Sequence, residues 1–276
     1  MKCSILIPSW NNLPYLRCCI ESIRKHSYFE HQILVHVNEG NDGTKTWLQE
    51  RGISFTESSE NIGICKAMNG LYALADCEYI MYMNDDMYCL PGWDTALARE
   101  VAAIGHANFM LSASMIEPRD TGNAAVMVYD MGDSLETFNE QELLNTFRNL
   151  VHHDWSGSSW PPNMVHRTMW DKIGGYNEYF SPGMSSDDDF AMRMWKAGCR
   201  LFKGVADSRV YHFQCKSTGR IEKNDGRKQF QTLYGITQNM FNRYYLHKGQ
   251  PFTGELKGPG FAPGFWFKKW WRAIMK

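Results

Sequence analysis

The sequence predicts an α/β fold in which a mostly parallel sheet is flanked by helices. Short apolar segments of strand length alternate with segments of helical spacing over the first hundred residues. Strands joined by helices in this way form βαβ units with right-handed crossovers. Polar residues follow several of these strands, and ligands of such sheets gather at the carboxyl ends of the strands. The pattern therefore predicts a ligand site at one edge of the sheet.

Four strands and three helices are predicted in the first part of the chain. The strands fall at residues 4–7, 33–37, 53–56 and 79–83, and the helices between them at residues 13–26, 44–50 and 64–75. Pro8 ends the first apolar run, since proline cannot donate a hydrogen bond to a sheet. Thr44 is expected to cap the second helix with its hydroxyl. This order gives three consecutive crossovers.

The middle of the chain is less regular. Further strands are predicted at residues 109–115, 126–129, 199–202 and 209–213, and helices at residues 135–151, 168–173, 190–197 and 230–246, with a loop at residues 155–163. We expect a single domain over residues 1–215, with two halves that meet at about residue 100. Residues 216–276 are expected to form a C-terminal helical and aromatic extension.

Composition excludes several classes of protein. The 276 residues are 43% hydrophobic and 21% charged, which is ordinary for a folded chain. The net charge of -1 gives no reason to expect a nucleic-acid partner. The eight cysteines include no C-x-x-C pair, which favours reduced thiols in a cytoplasmic compartment. No signal peptide fits the N-terminus, and no apolar run approaches the roughly 20 residues of a membrane-spanning helix.

The last sixteen residues have an unusual composition. Residues 261–276 combine bulky aromatic side chains with lysine and arginine and contain no acidic residue. Such segments are typical of peripheral contact with an anionic membrane, here the inner face of the cell membrane. The alternative is that these aromatic residues pack onto the domain or onto a second subunit.

Two adjacent carboxylates follow the fourth predicted strand, in the run Asn84-Asp85-Asp86. Neighbouring carboxylates at the end of a buried strand repel each other and resist desolvation. A divalent cation that also holds a phosphate would remove both costs. The run therefore indicates metal and diphosphate chemistry, with a solvated acidic turn as the alternative.

Five polar motifs follow one another between residues 2 and 213. They are S-I-L-I-P-S-W-N at residues 4–11, N-E-G-N-D-G-T at 38–44, N-I-G with a later A and N-G at 61–70, N-D-D followed by P-G-W at 84–93, and G-G-Y-N-E followed by S-D-D-D-F and an arginine at 174–193. In this order the motifs resemble those of family 2 glycosyltransferases of the GT-A fold. The resemblance implies an inverting hexosyl or deoxyhexosyl transferase that uses a nucleotide-diphosphate sugar, as in polysaccharide biosynthesis for the cell envelope.

The resemblance also implies that residues 1–215 are the catalytic domain, with a nucleotide-binding half at about 1–100 and an acceptor-binding half at about 101–215. It further implies where the donor and a metal bind. The implied donor residues are Pro8, Trp10, Asn11, Glu39, Asn61, Gly63, Asn69, Asn84 and Asp85. Asn84 stands where the family has its first aspartate, so the Mn²⁺ or Mg²⁺ contact falls on Asp86, with His212 completing the metal site. Each residue has a simpler alternative: Trp10 could be core, Glu39 a turn carboxylate and His212 structural.

The acidic block at residues 187–189 is the implied source of the catalytic base. Asp187 is the first candidate, Asp188 the second, and Asp189 a further rival, because Ser186 replaces the usual glutamate. Crowded carboxylates raise one another's pKa, as a general base requires, although a helix N-terminus also favours acidic residues for purely structural reasons.

Aromatic and basic residues are expected to complete the site. Flat sugar faces pack on aromatic rings, which suits Trp155, Trp160 and Trp170, although at least one of these is expected in the core. The polar segment at residues 216–220 either grips phosphate or is a plain exposed loop.

The leading functional hypothesis is sugar transfer to a hydroxyl of a glycan or of a lipid-linked acceptor. A catalytically silent glycan-binding or scaffold module of the same fold is the alternative, kept open by Asn84 and Ser186. A sugar nucleotidyltransferase is a weaker alternative, because residues 8–14 are neither glycine-rich nor basic. A nicotinamide oxidoreductase is excluded, because no G-x-G-x-x-G follows the first strand.

Overall fold

A ten-stranded sheet with helices on both faces forms the body of the protein in the computed structural model, which describes residues 1–215 and 222–260. The strands are β1 Cys3–Trp10, β2 Gln32–Asn38, β3 Ser54–Ser58, β4 Tyr79–Tyr82, β5 Met87–Cys89, β6 Phe109–Glu117, β7 Val126–Val128, β8 Trp155–Ser156, β9 Asn163–His166 and β10 Leu201–His212. The helices are α1 Leu13–His26, α2 Thr44–Glu50, α3 Gly63–Tyr72, α4 Trp93–Ile104, α5 Glu140–Thr146, α6 Arg167–Ile173, α7 Ser186–Lys196, α8 Gly226–Tyr234 and α9 Gln238–Tyr244. Short 3₁₀ helices occur at Phe147–Asn149 and Glu178–Phe180.

The predicted α/β class is confirmed, but the sheet is mixed. Its order is β3-β2-β1-β4-β9-β6-β10-β5, with β7 beside β6 and β8 beside β10. Strands β1 to β4 are parallel, and β6 is parallel to β10. Strand β9 runs antiparallel to both of its neighbours, β4 and β6. Because β9 is antiparallel to both β4 and β6, these two strands point in the same direction. Strands β1, β4, β6 and β10 therefore all end at the same edge of the sheet.

The strands bury alternate side chains on opposite faces, as the pleat requires. On β1, Ile5 and Ile7 pack in a cluster with residues of α1, α2 and α4. Leu6, between them, packs in a second cluster with residues of α3, α6, α7, α8 and α9. Both faces of the sheet are therefore covered, which explains why its central strands are almost continuously apolar.

Two predictions of secondary structure between residues 186 and 213 are wrong. The strands predicted at residues 199–202 and 209–213 are one strand, β10, whose pairing with β6 shifts register between Val205 and Arg209. The helix predicted at residues 190–197 begins earlier, at Ser186, so the acidic block lies in its first turn. Sequence periodicity misses both features, because a bulge interrupts the alternation and the helix opens with charged residues.

Other helix predictions also change. Thr44 is the first residue of α2 and Gly43 is its N-cap, while the Thr44 hydroxyl donates to Asp42 at 2.6 Å. The helix predicted at residues 135–151 shortens to α5 with the following 3₁₀ turn. The helix predicted at residues 230–246 is α8 and α9, separated at Gly235, whose φ of 67° ends α8.

The described part of the C-terminal extension packs on the domain. Phe230 of α8 and Phe241 of α9 are fully buried in the cluster that also holds Phe190 of α7. The hydrophobic core continues across residue 215. The assignment of the catalytic domain to residues 1–215 therefore stays a prediction. The polar loop at residues 216–220 and the membrane contact predicted for residues 261–276 lie outside the described residues. Within the described ranges, no helix has the length and apolar character to cross a membrane.

Candidate active site

A cavity of about 930 Å³ opens at the shared carboxyl edge of β1, β4, β6 and β10. The predicted residues that line it are Pro8, Trp10, Asn61, Gly63, Asn84, Asp85, Asp86, Trp160, Asp187 and His212. The first of them, Pro8, and the last, His212, are more than two hundred residues apart in the sequence. The common direction of the four strands brings them together. This is the edge at which α/β sheets bind ligands.

The two carboxylates after β4 have different partners. The Ser9 hydroxyl donates to Oδ2 of Asp85 at 2.7 Å, and burial with the adjacent Asp86 charge raises the pKa of Asp85 to about 7. Asp86 is 5% exposed and accepts the backbone N–H of Cys215 at 2.8 Å. Burial opposes its ionisation, but the neighbouring His212 ring lowers the pKa of Asp86 below its usual range. Asp86 is therefore the carboxylate held in its charged form.

His212 lies between two carboxylates. Its Nε2 is 3.4 Å from Oδ2 of Asp86, and its Nδ1 is 2.8 Å from Oε1 of Glu117. Burial opposes the ring's charge, but the Asp86 carboxylate, with Glu117, raises the pKa of His212 to about 10. Glu117 is absent from the sequence predictions, although it ends an apolar strand just before Pro118. A polar residue at the carboxyl end of an apolar strand is also the pattern that identifies the candidate residues after β1 and β4.

Asp187 lies in the first turn of α7 and lines the cavity. The Tyr176 hydroxyl donates to its Oδ1 at 3.4 Å. Part of the side chain remains open to the cavity, while protein surrounds the rest. Burial and the neighbouring Asp188 charge raise the pKa of Asp187 to about 7. A carboxylate with this pKa can take a proton near neutral pH.

The rivals of Asp187 point elsewhere. Asp188 is not among the residues that line the cavity, and its Oδ2 accepts the Gln238 side-chain amide at 2.7 Å. Asp189 is fully buried and pairs with Arg193 at 2.8 Å. Of the three aspartates, Asp187 is the one whose side chain faces the cavity.

The start of α3 forms one wall of the cavity. Gly63 has φ of 78°, and a Cβ added there would lie 2.5 Å from the Cα of Pro182. The N–H of Ile64 donates to the Pro182 carbonyl at 2.7 Å, and the N–H of Gly63 to Oδ1 of Asn61 at 2.9 Å. Gly63 is therefore needed because the backbone of the opposite loop touches it.

Three predicted donor residues are not among those that line the cavity. The Asn11 amide donates to Oε2 of Glu39 at 2.9 Å, which joins the turns after β1 and β2. The Asn69 side chain donates to the carbonyl of Tyr176 and accepts its N–H, both at 2.8 Å. These residues brace the surrounding loops. Ser9 and Asn38 line the cavity instead, and neither is a predicted site residue.

The three tryptophans have different environments. Trp160 lines the cavity, whereas Trp155 and Trp170 are almost fully buried. The Trp155 indole donates to the Ser114 hydroxyl at 3.0 Å. Core packing is thus the role of two of them, and Trp160 is the one of the three that lines the cavity.

Comparison with known proteins identifies the family. The Glycosyl transferase family 2 model matches residues 4–160. The uncharacterized glycosyltransferase YwdF of Bacillus subtilis (strain 168) is 26% identical over 268 residues, covering 95% of this chain and 88% of the relative.

Solved structures of TarS from S. aureus share the fold. The structure of TarS 1-349 in complex with UDP-GlcNAc matches 88% of this chain and 67% of its own length, with a TM-score of 0.61 at 14% identity. TarS 1-349 alone matches 77% of this chain with a TM-score of 0.57 at 15% identity, and this chain spans 60% of it. The family model matches more than half of this chain, and the order of the motifs predicts the same family. This chain therefore belongs to glycosyltransferase family 2.

Proposed function

We propose that the protein transfers a sugar from a nucleotide-diphosphate donor to a hydroxyl of a glycan or lipid-linked acceptor, with inversion at the anomeric carbon. One observation carries the proposal: the Asp86–His212 pair and the Asp187 carboxylate line the same cavity. A nucleotide-diphosphate donor is supported by the TarS structures, which were solved in complex with UDP and with UDP-GlcNAc.

Asp187 acts as general base in this proposal. As the acceptor oxygen attacks the anomeric carbon, its proton moves to Oδ2 of Asp187, since Oδ1 already accepts the Tyr176 hydroxyl. The bond between acceptor oxygen and anomeric carbon forms while the bond to the diphosphate oxygen breaks. That electron pair leaves with the diphosphate. Attack opposite to the leaving group inverts the configuration.

Asp86 and His212 are suited to hold a divalent cation bound with the donor, which would displace the Nε2 proton that the raised pKa of His212 otherwise keeps on the ring. Oδ2 of Asp86 and Nε2 of His212 face each other, and the Glu117 carboxylate binds the other ring nitrogen, Nδ1. A carboxylate in this position orients a histidine that binds a metal. Among the described residues, no group of three or more His, Cys, Asp or Glu side chains could hold a metal by itself. The remaining ligands would therefore come from donor and water. When bound, Mn²⁺ or Mg²⁺ stabilises charge on the departing diphosphate.

A combined thermal-shift and hydrolysis assay tests the proposal. UDP, GDP and UDP-GlcNAc are added with and without Mn²⁺, and Tm and nucleotide release are measured. Ligand at 100 times its Kd stabilises the native state by about 2.7 kcal/mol, so the matching nucleotide should raise Tm by several degrees with Mn²⁺. A shift without release under any condition would indicate a silent binding module. No shift across a full nucleotide series would contradict the proposal.

The pH dependence of activity follows from Asp187. The base works only when it is ionised, and its pKa is raised to about 7, so kcat/KM should rise with pH and level off above neutrality. At pH 5, about one molecule in a hundred carries the ionised base, which predicts a roughly hundredfold lower rate. The measurement is kcat/KM for the donor between pH 5 and 9. A profile that is flat from pH 5 to 8 would exclude Asp187 as the base.

A further inference from the structure

The segment at residues 212–215 runs alongside Asp86 at the cavity. Three of its four residues line the cavity, namely His212, Gln214 and Cys215. Strand β10 pairs antiparallel with β5 as far as its last residue, and the Phe213 N–H then donates to the Asp86 carbonyl at 3.1 Å. The backbone of the segment is therefore fixed against the residue that is suited to hold the cation.

The chain takes an unusual conformation at Gln214. Its φ is 58°, in the left-handed region that residues with a Cβ rarely adopt. The next N–H, that of Cys215, donates to Oδ2 of Asp86 at 2.8 Å. The same oxygen lies 3.4 Å from Nε2 of His212. A backbone N–H and an imidazole from one short segment thus meet at a single oxygen of Asp86.

The Gln214 side chain contacts the end of β6. Its Nε2 donates to Oε2 of Glu117 at 2.6 Å, and its Oε1 accepts the Nε–H of Arg119 at 3.3 Å. Glu117 is 5% exposed, and its other oxygen, Oε1, lies 2.8 Å from Nδ1 of His212. Both oxygens of this carboxylate are therefore occupied, one by the imidazole and one by the amide.

These contacts close a ring around the cation-binding pair. Asp86 contacts His212, and His212 contacts Glu117. Glu117 accepts the Gln214 amide. One peptide bond further, the Cys215 N–H returns to Asp86. A polar network in which each member has its partner holds one geometry, and strained backbone persists where such contacts enforce it.

We propose that Gln214 is a positioning residue for the divalent cation that is bound with the donor. Its left-handed backbone aims the Cys215 N–H at Asp86, and its amide holds Glu117 against His212. The two atoms suited to bind the cation therefore keep one geometry before the donor binds, which lowers the entropic cost of binding. The inference rests on the proposed function, since it takes Asp86 and His212 as the cation-binding pair.

The variant Gln214→Ala tests the proposal with UDP as the probe, in Mn²⁺ and in EDTA, by titration calorimetry. Affinity in Mn²⁺ should fall by about tenfold, the lower end of the loss when a residue that supports a metal ligand is replaced. Affinity in EDTA should stay at the wild-type value, because the amide does not act on the nucleotide itself. The matched control is Gln141→Ala, which removes an exposed amide bonded to Asn145 on α5 and should change neither affinity. Wild-type affinity in Mn²⁺ for folded Gln214→Ala would overturn the proposal.

The variant Gln214→Gly separates the backbone from the side chain and covers misfolding of the alanine variant. Both variants lack the amide, but glycine adopts a left-handed φ without strain. Alanine has no amide bonds to keep it there, so its backbone should relax to an ordinary φ. Affinity for UDP in Mn²⁺ should therefore fall less in Gln214→Gly than in Gln214→Ala. A greater loss in the glycine variant would contradict the role given to the backbone.

A measurement on metal-free protein separates this inference from the proposed function. In protein labelled with ¹⁵N at cysteine, the Cys215 amide is assigned by the signal that is missing in Cys215→Ser. Because a hydrogen bond to a carboxylate is strong, its loss in Gln214→Ala should speed hydrogen exchange of this amide by roughly tenfold or more. In Gln214→Gly, exchange should stay close to the wild-type rate.

The two measurements together distinguish the possible failures. Unchanged exchange of the Cys215 amide in Gln214→Ala would overturn the inference. Faster exchange with unchanged affinity for UDP in Mn²⁺ would also overturn it, because the geometry would then not matter to the cation. Faster exchange, in a protein whose wild type binds neither UDP nor GDP more tightly with Mn²⁺, would remove the cation from the proposed function. The contact between segment 212–215 and Asp86 would still stand in that case.

Discussion

Replacement of Asp187 by asparagine should lower kcat for sugar transfer by about 10²- to 10⁴-fold, the contribution of a positioned general base. Asparagine has nearly the same shape and can still accept the Tyr176 hydroxyl, so the cavity wall should be preserved. It cannot take the acceptor proton. Affinity for the nucleotide in the presence of Mn²⁺ should remain within a few fold, because the loss concerns the transition state alone. Titration calorimetry and single-turnover kinetics measure the two effects separately.

Asp188→Asn is the matched control for this experiment. It removes one carboxylate from the same helical turn, but Asp188 is bonded to Gln238 and is not among the cavity-lining residues. Transfer should therefore fall much less than in Asp187→Asn. The acid limb of the pH profile should move to lower pH, since a neighbouring negative charge has been removed. Equal losses in the two variants would mean that the base has been assigned to the wrong aspartate.

Replacement of Asp86 by alanine should abolish metal-dependent binding of the donor. Mutation of a residue that only hydrogen-bonds to a metal ligand typically lowers metal affinity or activity by about 10- to 100-fold. Loss of a residue that binds the metal directly should therefore weaken nucleotide binding in Mn²⁺ by at least about 100-fold. The fold should survive, because Glu117 remains within 2.8 Å of His212 to balance its charge. The measurement is the Mn²⁺-dependent rise in Tm with nucleotide, read beside the Tm of the free variant.

Asp85→Asn provides the comparison at the adjacent position. Asp85 accepts the Ser9 hydroxyl, and an amide oxygen can accept the same bond. We expect a smaller loss of metal-dependent binding than in Asp86→Ala. A full nucleotide shift with Mn²⁺ in folded Asp86→Ala would show that the cation, if used, is held elsewhere.

Much of the nucleotide-binding half follows from local pattern. Strands β2, β3 and β4 lie within two residues of their predicted bounds, because apolar runs bounded by turn residues mark each end. Strand β1 continues through Pro8 to Trp10, three residues beyond its predicted end, so Pro8 does not end it. The polar residues after β1 and β4 lie at one edge because parallel strands must end there. The prediction weakens after residue 83, since neither β5 nor α4 was predicted. Strand β9 is inserted antiparallel between β4 and β6, and its four residues carry no signal of their direction.

The roles of individual polar residues were harder to predict. Asn69 and Asn11 match family motifs, yet their amides are bonded to loops around the cavity. Glu117 matches no motif, yet its carboxylate lies 2.8 Å from Nδ1 of His212. A motif states which residue types occur in order, and it does not state which way a side chain points.

The amino-acid order alone determined the α/β class and the family, and it drew attention to the acidic residues after strand ends. It could do so because hydrophobic spacing and short polar motifs are local properties of a chain. The tertiary structure alone decided that Asp187, among three aspartates, faces the cavity, and that Glu117 lines it beside His212. Those contacts join residues separated by tens of positions in the sequence, and only the packing of strands and helices fixes which of them meet.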